Sequence, residues 1–325
     1  MYLQRAAFAL TTRRLMALVL LLCLFAMASR PILDPDFWWH LRTGQLIWES
    51  RSIPRQDVFS FTRSGQPWIT HEWLTEVLIY GLYAGFSQGG LILVFSAIIT
   101  AAFALLYVQC PGRPYLASFV VVWAAITSAV TWDVRPQMLS LLLSSAFLFI
   151  LRLYLKGSSS IIWSLPPLMA LWSNLHGSFF LGLVYTAVFL VAAALDKVWR
   201  RRREGAMDWR GLRRLALVTL LTAVAPILNP NGLQLLIYPF GTLGSPSMQT
   251  YIMEWFSPDF HLAEFQPFAF YLLALLLSLG LSTQIPSATD FLLALGFGYA
   301  SLQSARHIPF FVLATAPMLS GQLLH

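Results

Sequence analysis

"QGGLILVFSAIITAAFALLYVQ", Gln88 to Gln109, runs on without a single charged residue. A helix of about 20 apolar residues, rising about 1.5 Å per residue, crosses the hydrocarbon core of a bilayer. The apolar residues here are continuous and do not alternate with period two, which favours a spanning helix over a strand of a membrane β-barrel. Comparable runs recur at about 15–30, 115–131, 137–156, 160–174, 178–196, 214–228, 268–285, 289–305 and 308–322. Of the 325 residues 58% are hydrophobic and 11% charged, and the mean hydropathy is +0.67. These observations predict an all-α, polytopic transmembrane helical bundle of about ten spans, give or take about two. Several runs are short for the bilayer and call for tilt or local thinning.

Charge orients the bundle. The net charge is +7, and eight of the 21 basic residues lie in "KVWRRRREGAMDWRGLRR", residues 197–214. Between two apolar runs such a block reads as a cytoplasmic loop touching anionic lipid headgroups, and a nucleic-acid role is set aside. Arg5, Arg13 and Arg14 place the N-terminus on the same side, ahead of a first helix read as uncleaved although it ends in "AMAS". The stretch 72–86, "EWLTEVLIYGLYAGF", is either a short span or a helix lying in the interface. Only the second choice keeps the basic block inside. Residues 31–71 and 229–267 then become extracytoplasmic loops, and 1–325 reads as a single membrane domain. Two cysteines, Cys23 and Cys110, suggest neither a metal site nor a disulfide framework.

With that topology ten of the 14 acids and five of the six histidines fall on the outer face. The densest cluster is "DPDFWWHLRTG", Asp34 to Gly44. Asp34 and Pro35 make a helix start, Asp36 suits its first turn, and an amphipathic interfacial helix follows through Glu49. Cap and anchor do not account for two acids, His40 and Arg42 presented together. In "GQPWITHEWLTE", Gly65 to Glu76, Thr70 is the expected cap, and His71 and Glu72 are candidates to face a substrate. A zinc-protease helix is rejected because no second histidine follows at the required spacing. In "WDVRPQ", Trp132 to Gln137, Arg135 either pairs locally with Asp133 or binds a phosphate through its forked guanidinium. "WSNLHGSFF" sets Asn174 and His176 between apolar helices, where polar groups are costly unless paired or functional. "YIMEWFSPDFH" adds Glu254, Asp259 and His261, and "ARHIPFF" adds Arg306 and His307.

An N-terminal span, "DPDFWWH" opening the first external loop, an amphipathic helix and then "QPWITHEWLTE" resemble the GT-C superfamily of polyprenyl-phosphate-sugar-dependent glycosyltransferases. The whole set, with "RPQ", "NLHG", "NPNG" and "ARHIPFF", resembles bacterial multispanning membrane proteins of unassigned function. The GT-C likeness covers about the first 110 residues in pattern and the remainder only in architecture. The chain is short for that superfamily, and no extracytoplasmic acceptor domain follows the last span.

The resemblance implies a transferase of the bacterial inner membrane that moves a sugar from a polyprenyl-phosphate or diphosphate donor to an acceptor. Asp36 would be the base, with Asp34 second. Arg135 and Arg306 would stabilise the departing phosphate. His40, His71, Glu72, His176, Asn174 and His307 would contact substrate. Some members of the superfamily use a metal and others do not, and a divalent cation, Mg²⁺ or Mn²⁺, would be held by Asp34, Asp36 or Glu72. The competing reading is a non-enzymatic transporter or scaffold for an anionic lipid or glycan. It would need ionisable groups along a path open to both faces, and the apolar runs carry few.

Overall fold

The computed structural model describes residues 11–158, 160–199 and 207–324. The centre of the basic block and the first arginine therefore lie outside the described residues. Among those described the chain is helical, with one isolated bridge, Gln56 to Pro67, in the loop after the second helix. The helices are α1 (Thr12–Ala28), α2 (Asp36–Ser50), α3 (Trp73–Gln109), α4 (Pro114–Ser128), α5 (Gln137–Leu155), α6 (Leu165–Leu175), α7 (Phe180–Trp199), α8 (Trp209–Val224), α9 (Leu233–Leu243), α10 (Pro246–Tyr251), α11 (Gln266–Leu281), α12 (Ala288–Gln303) and α13 (Ile308–Gln322). Counting short 3₁₀ extensions, six are long and apolar enough to cross a membrane: α3, α4, α5, α7, α8 and α11. The helices α1, α6, α12 and α13, of 17, 11, 16 and 15 residues, are not among these six.

The ambiguous stretch 72–86 and the run 88–109 are two helical pieces of α3 that meet at a kink at Ser87. Ser87 has φ 55° and ψ −162°, a backbone conformation that favours glycine. The bend folds Phe86 back over Gly90, where any side chain would collide with it. Its first part, Trp73 to Phe86, is only about 21 Å long and packs against α2.

At the centre stands α13, apolar on all sides and buried at every position except Gly321. α4, α5, α11 and α12 surround it, so the burial follows from its composition. The two ends of α5 carry different chemistry. Arg135 precedes its first turn, while near its last turn Arg152 donates to Ala314 O at 2.8 Å and pairs with Asp290 at 3.2 Å. These ends are about 28 Å apart. Tyr154 Oη donates to Gly211 O, and Gly112 approaches Leu324, so Arg113, Lys156 and the described start of α8 share the Arg152 end. The remaining clusters gather at the Arg135 end.

Candidate functional site

The loop before α2 is held by Asp133. Its carboxylate accepts the N–H groups of Leu33 at 3.2 Å, Asp34 at 3.0 Å and Val134 at 2.6 Å. Of the two readings of Arg135, the local pair with Asp133 is not formed, because Asp133 is committed to backbone donors and Arg135 points elsewhere. Arg135 instead holds Asp34 at 2.8 Å, Asp36 at 3.2 Å and Glu254 at 2.9 Å. Asp34 lies two residues before α2 and accepts from the N–H of its first residue, Asp36, at 2.8 Å. Burial pushes its carboxyl above the ordinary carboxylate value, although the Arg135 guanidinium pulls the other way. Asp36 is the freer acid, its side chain 51% exposed against 12% for Asp34.

The start of α3 brings the histidines to one carboxylate. Thr70 does not cap the helix, because its hydroxyl donates to Pro54 O at 2.7 Å. Glu72 stands at the N-cap position, its Oε1 3.2 Å from His71 Nε2 and 3.3 Å from His176 Nε2. His176 Nδ1 accepts from Ser178 N at 3.2 Å and lies 2.7 Å from Ser140 Oγ, which itself accepts from Trp172 Nε1. These contacts leave the proton on Nε2, aimed at Glu72. Burial depresses the His176 pKa to about 3, so this ring is neutral. His71 differs: its Nδ1 faces Ile69 O at 3.2 Å and its Nε2 faces Glu72, so both nitrogens face acceptors. Burial lowers its pKa, and the Glu72 charge more than offsets that and raises it. For Glu72 burial pushes upward, and the same histidine contacts more than offset it and hold the carboxyl below its ordinary value.

His40 reaches this cluster from α2, lying 3.6 Å from Glu72 and 3.4 Å from Glu76. The approach depends on Gly44, one turn further along α2, where a side chain would strike the backbone carbonyl of Glu76.

A cavity of about 280 Å³ joins the two clusters. Of the residues singled out from sequence, it is lined by Asp36, His40, His71, Glu72, Arg135, His176, Glu254, Arg306 and His307. Asp34 is turned instead toward a second cavity, of about 550 Å³, beyond the shared Arg135 and Glu254. Asn174 lies outside both cavities. Its oxygen accepts from Trp73 Nε1 at 2.8 Å and Asn229 Nδ2 at 3.2 Å, and its amide donates to Ala170 O, so it joins helices. His261 is 98% exposed and pairs with Asp259 at 2.9 Å, also outside the first cavity.

Arg306 is the less neutralised of the two cations. It lies 3.7 Å from Glu254 and stacks over Trp255 at 4.3 Å, where the ring face favours a cation. Residues 254–256 are tied to the loop before α13 through Ser304 Oγ to Glu254 O and Ala305 N to Phe256 O, at 2.9 and 3.0 Å. Burial and the neighbouring Arg306 depress the His307 pKa to about 4.

Four lining or adjoining residues were not among the sequence candidates: Gln137, Tyr238, Trp255 and Glu76. Tyr238 packs on His71 at 4.3 Å between ring centres. Gln137 ends the quoted "WDVRPQ", and Glu76 lies one helical turn after Glu72, so both could have been read from their neighbours. Trp255 directly follows Glu254 in the quoted "YIMEWFSPDFH", whereas nothing local marks Tyr238. Gln137 Nε2, His307 Nδ1 and Glu76 Oε2 are buried side-chain atoms with no hydrogen-bond partner. Such atoms in native structures call for an explanation, and a ligand is one.

The three carboxylates named as alternative metal ligands lie in two different surroundings. Asp34 and Asp36 share Arg135, while Glu72 lies among histidines. The one group of three potential ligands within reach of each other among the described residues is His40, Glu72 and Glu76. Comparison with protein-family models, curated proteins and solved structures returns no match.

Proposed function

We propose that this chain is a GT-C-type glycosyltransferase that moves a sugar from a polyprenyl-phosphate or diphosphate to an acceptor hydroxyl. The observation that carries the reading is the charge layout of the first cavity. A half-exposed carboxylate, Asp36, shares its lining with a lightly neutralised guanidinium, Arg306, and with the unpartnered Gln137 Nε2 and His307 Nδ1. Aromatic faces at Trp39, Tyr238 and Trp255 suit a sugar ring. The basic residues at the far end of α5 support a cavity on the extracytoplasmic face of a bacterial inner membrane, with the N-terminus inside. In this reading α1, α6, α12 and α13 also cross, tilted or in thinned bilayer, making about ten spans, and the first part of α3 lies in the interface.

In the transfer Asp36 takes the proton of the acceptor hydroxyl as its oxygen attacks the anomeric carbon. The bond from that carbon to the phosphate oxygen breaks, and its electron pair stays on the phosphate. Arg306 stabilises that departing anion. No general acid is needed, because the leaving group is already a stable anion. Arg135 is occupied by three carboxylates, so its part is to position Asp36. His71 and His176 order Glu72 beside the sugar.

Native mass spectrometry of the protein in gentle detergent tests the reading. A polyprenyl-phosphate lipid is expected on wild type and on Asp36→Asn, and lost from Arg306→Ala. Transfer from that lipid would then be absent in Asp36→Asn. Bulk phospholipid alone on all three proteins would overturn it in favour of a transporter or scaffold.

A further inference from the structure

We propose that His40, Glu72 and Glu76 are the protein ligands of a zinc ion. The three side chains come from the two helices that Gly44 brings into contact, and all are buried. Each offers one atom, and the three atoms lie within 4.8 Å of one another. His40 Nδ1 stands 3.6 Å from Glu72 Oε2 and 3.4 Å from Glu76 Oε1. Both distances exceed the usual N–H···O range of about 2.7–3.2 Å. The His40–Glu76 distance matches the separation of two ligands on one tetrahedral zinc, about 3.3–3.4 Å for metal–ligand bonds near 2.0–2.1 Å, and the 3.6 Å His40–Glu72 distance is slightly longer.

A second observation points the same way. Glu76 is 1% exposed, its Oε1 is the atom facing His40, and its Oε2 has no hydrogen-bond partner. A carboxylate left this way in a protein interior is costly unless a cation meets it. Glu72 is already braced at its other oxygen by His71 and His176, the kind of outer support that orients metal ligands.

Imidazole nitrogen beside two carboxylates selects a transition-metal ion such as zinc over magnesium or calcium, which favour all-oxygen sets. His40 and Glu72 line the first cavity while Glu76 stands behind them. Three protein ligands with the remaining position toward a cavity is the arrangement of an open zinc site, not of a closed structural one. The ligand assignment stands apart from the transferase reading, because metal binding is measured without substrate.

The test is metal content of the full chain purified in detergent without chelator, by inductively coupled plasma mass spectrometry. Wild type is expected to carry close to one zinc per chain, and Glu76→Gln and His40→Asn at least ten-fold less. Asp34→Asn and Asp36→Asn are expected to retain it. Because a variant could fail to fold, wild type stripped by chelator is also titrated with cobalt(II) alone. The visible absorption of four-coordinate cobalt is expected to saturate at one equivalent and to be reversed by zinc. Zinc-free wild type that gives no such spectrum would overturn the site. So would zinc that survives both Glu76→Gln and His40→Asn, or that follows Asp34 or Asp36 instead.

Discussion

Arg135 is the residue on which the cavity's shape turns. It contacts Asp34, Asp36 and Glu254, and its partly buried side chain is the shared wall of two cavities. Removing one partner of such a group leaves the others unpaired, at a cost of about 3 kcal/mol or more. Arg135→Ala should therefore lower the unfolding midpoint in detergent well beyond Asp36→Asn, which removes the most exposed of the three acids. A midpoint within error of wild type would show that the network contributes nothing. His307 gives a pH-dependent counterpart. Its folded pKa lies near 4 against an ordinary 6.5, so between those values the unfolded chain binds more protons than the folded one. Its contribution is full above about pH 6.5 and is lost as the pH falls through that window, reaching about 2 kcal/mol by pH 5. Wild type should lose more stability than His307→Gln between pH 7 and pH 5. Equal losses would mean that the imidazole is not held neutral.

At the scale of elements, two small residues decide geometry that hydrophobicity does not. Gly44 allows α2 to rest on the first turns of α3 and so brings His40 to Glu72 and Glu76. Gly44→Ala forces the helices apart and should cost about 1–3 kcal/mol. The same change should abolish the zinc content, although residue 44 is not a ligand. Retention of full metal occupancy in a folded Gly44→Ala protein would contradict this packing. At Ser87 the direction reverses. A non-glycine residue in that conformation carries about 1–3 kcal/mol of strain, so Ser87→Gly should raise the unfolding midpoint. A lower midpoint would show that α3 is not bent there. The apolar pattern of 72–109 shows two hydrophobic pieces, but the bend joining them comes from φ and ψ at one residue, which hydrophobic period does not encode.

For the whole molecule, the separation of chemistry between two ends predicts a topology. With Cys23 and Cys110 replaced by serine, a cysteine introduced at Ser64 should react with a membrane-impermeant maleimide in intact cells. One introduced at Asp208 should react only after permeabilisation. Labelling of both from outside would break the two-ended arrangement proposed for the membrane.

The sequence alone determined that the chain is helical and suited to a membrane, because continuous apolar runs leave the backbone no partner there but itself. It also named the charged and imidazole side chains of the first cavity, because these groups are costly in such a chain and stand out wherever they occur. Tertiary structure alone decided how they combine. Arg135 binds Asp34, Asp36 and Glu254 rather than the nearby Asp133, and Asn174 becomes a joint between helices. Glu76, in sequence one acid on an apolar helix, becomes a buried oxygen in need of a cation. These outcomes depend on distances between residues 36 to 119 positions apart, and such distances follow from helix packing rather than from local pattern.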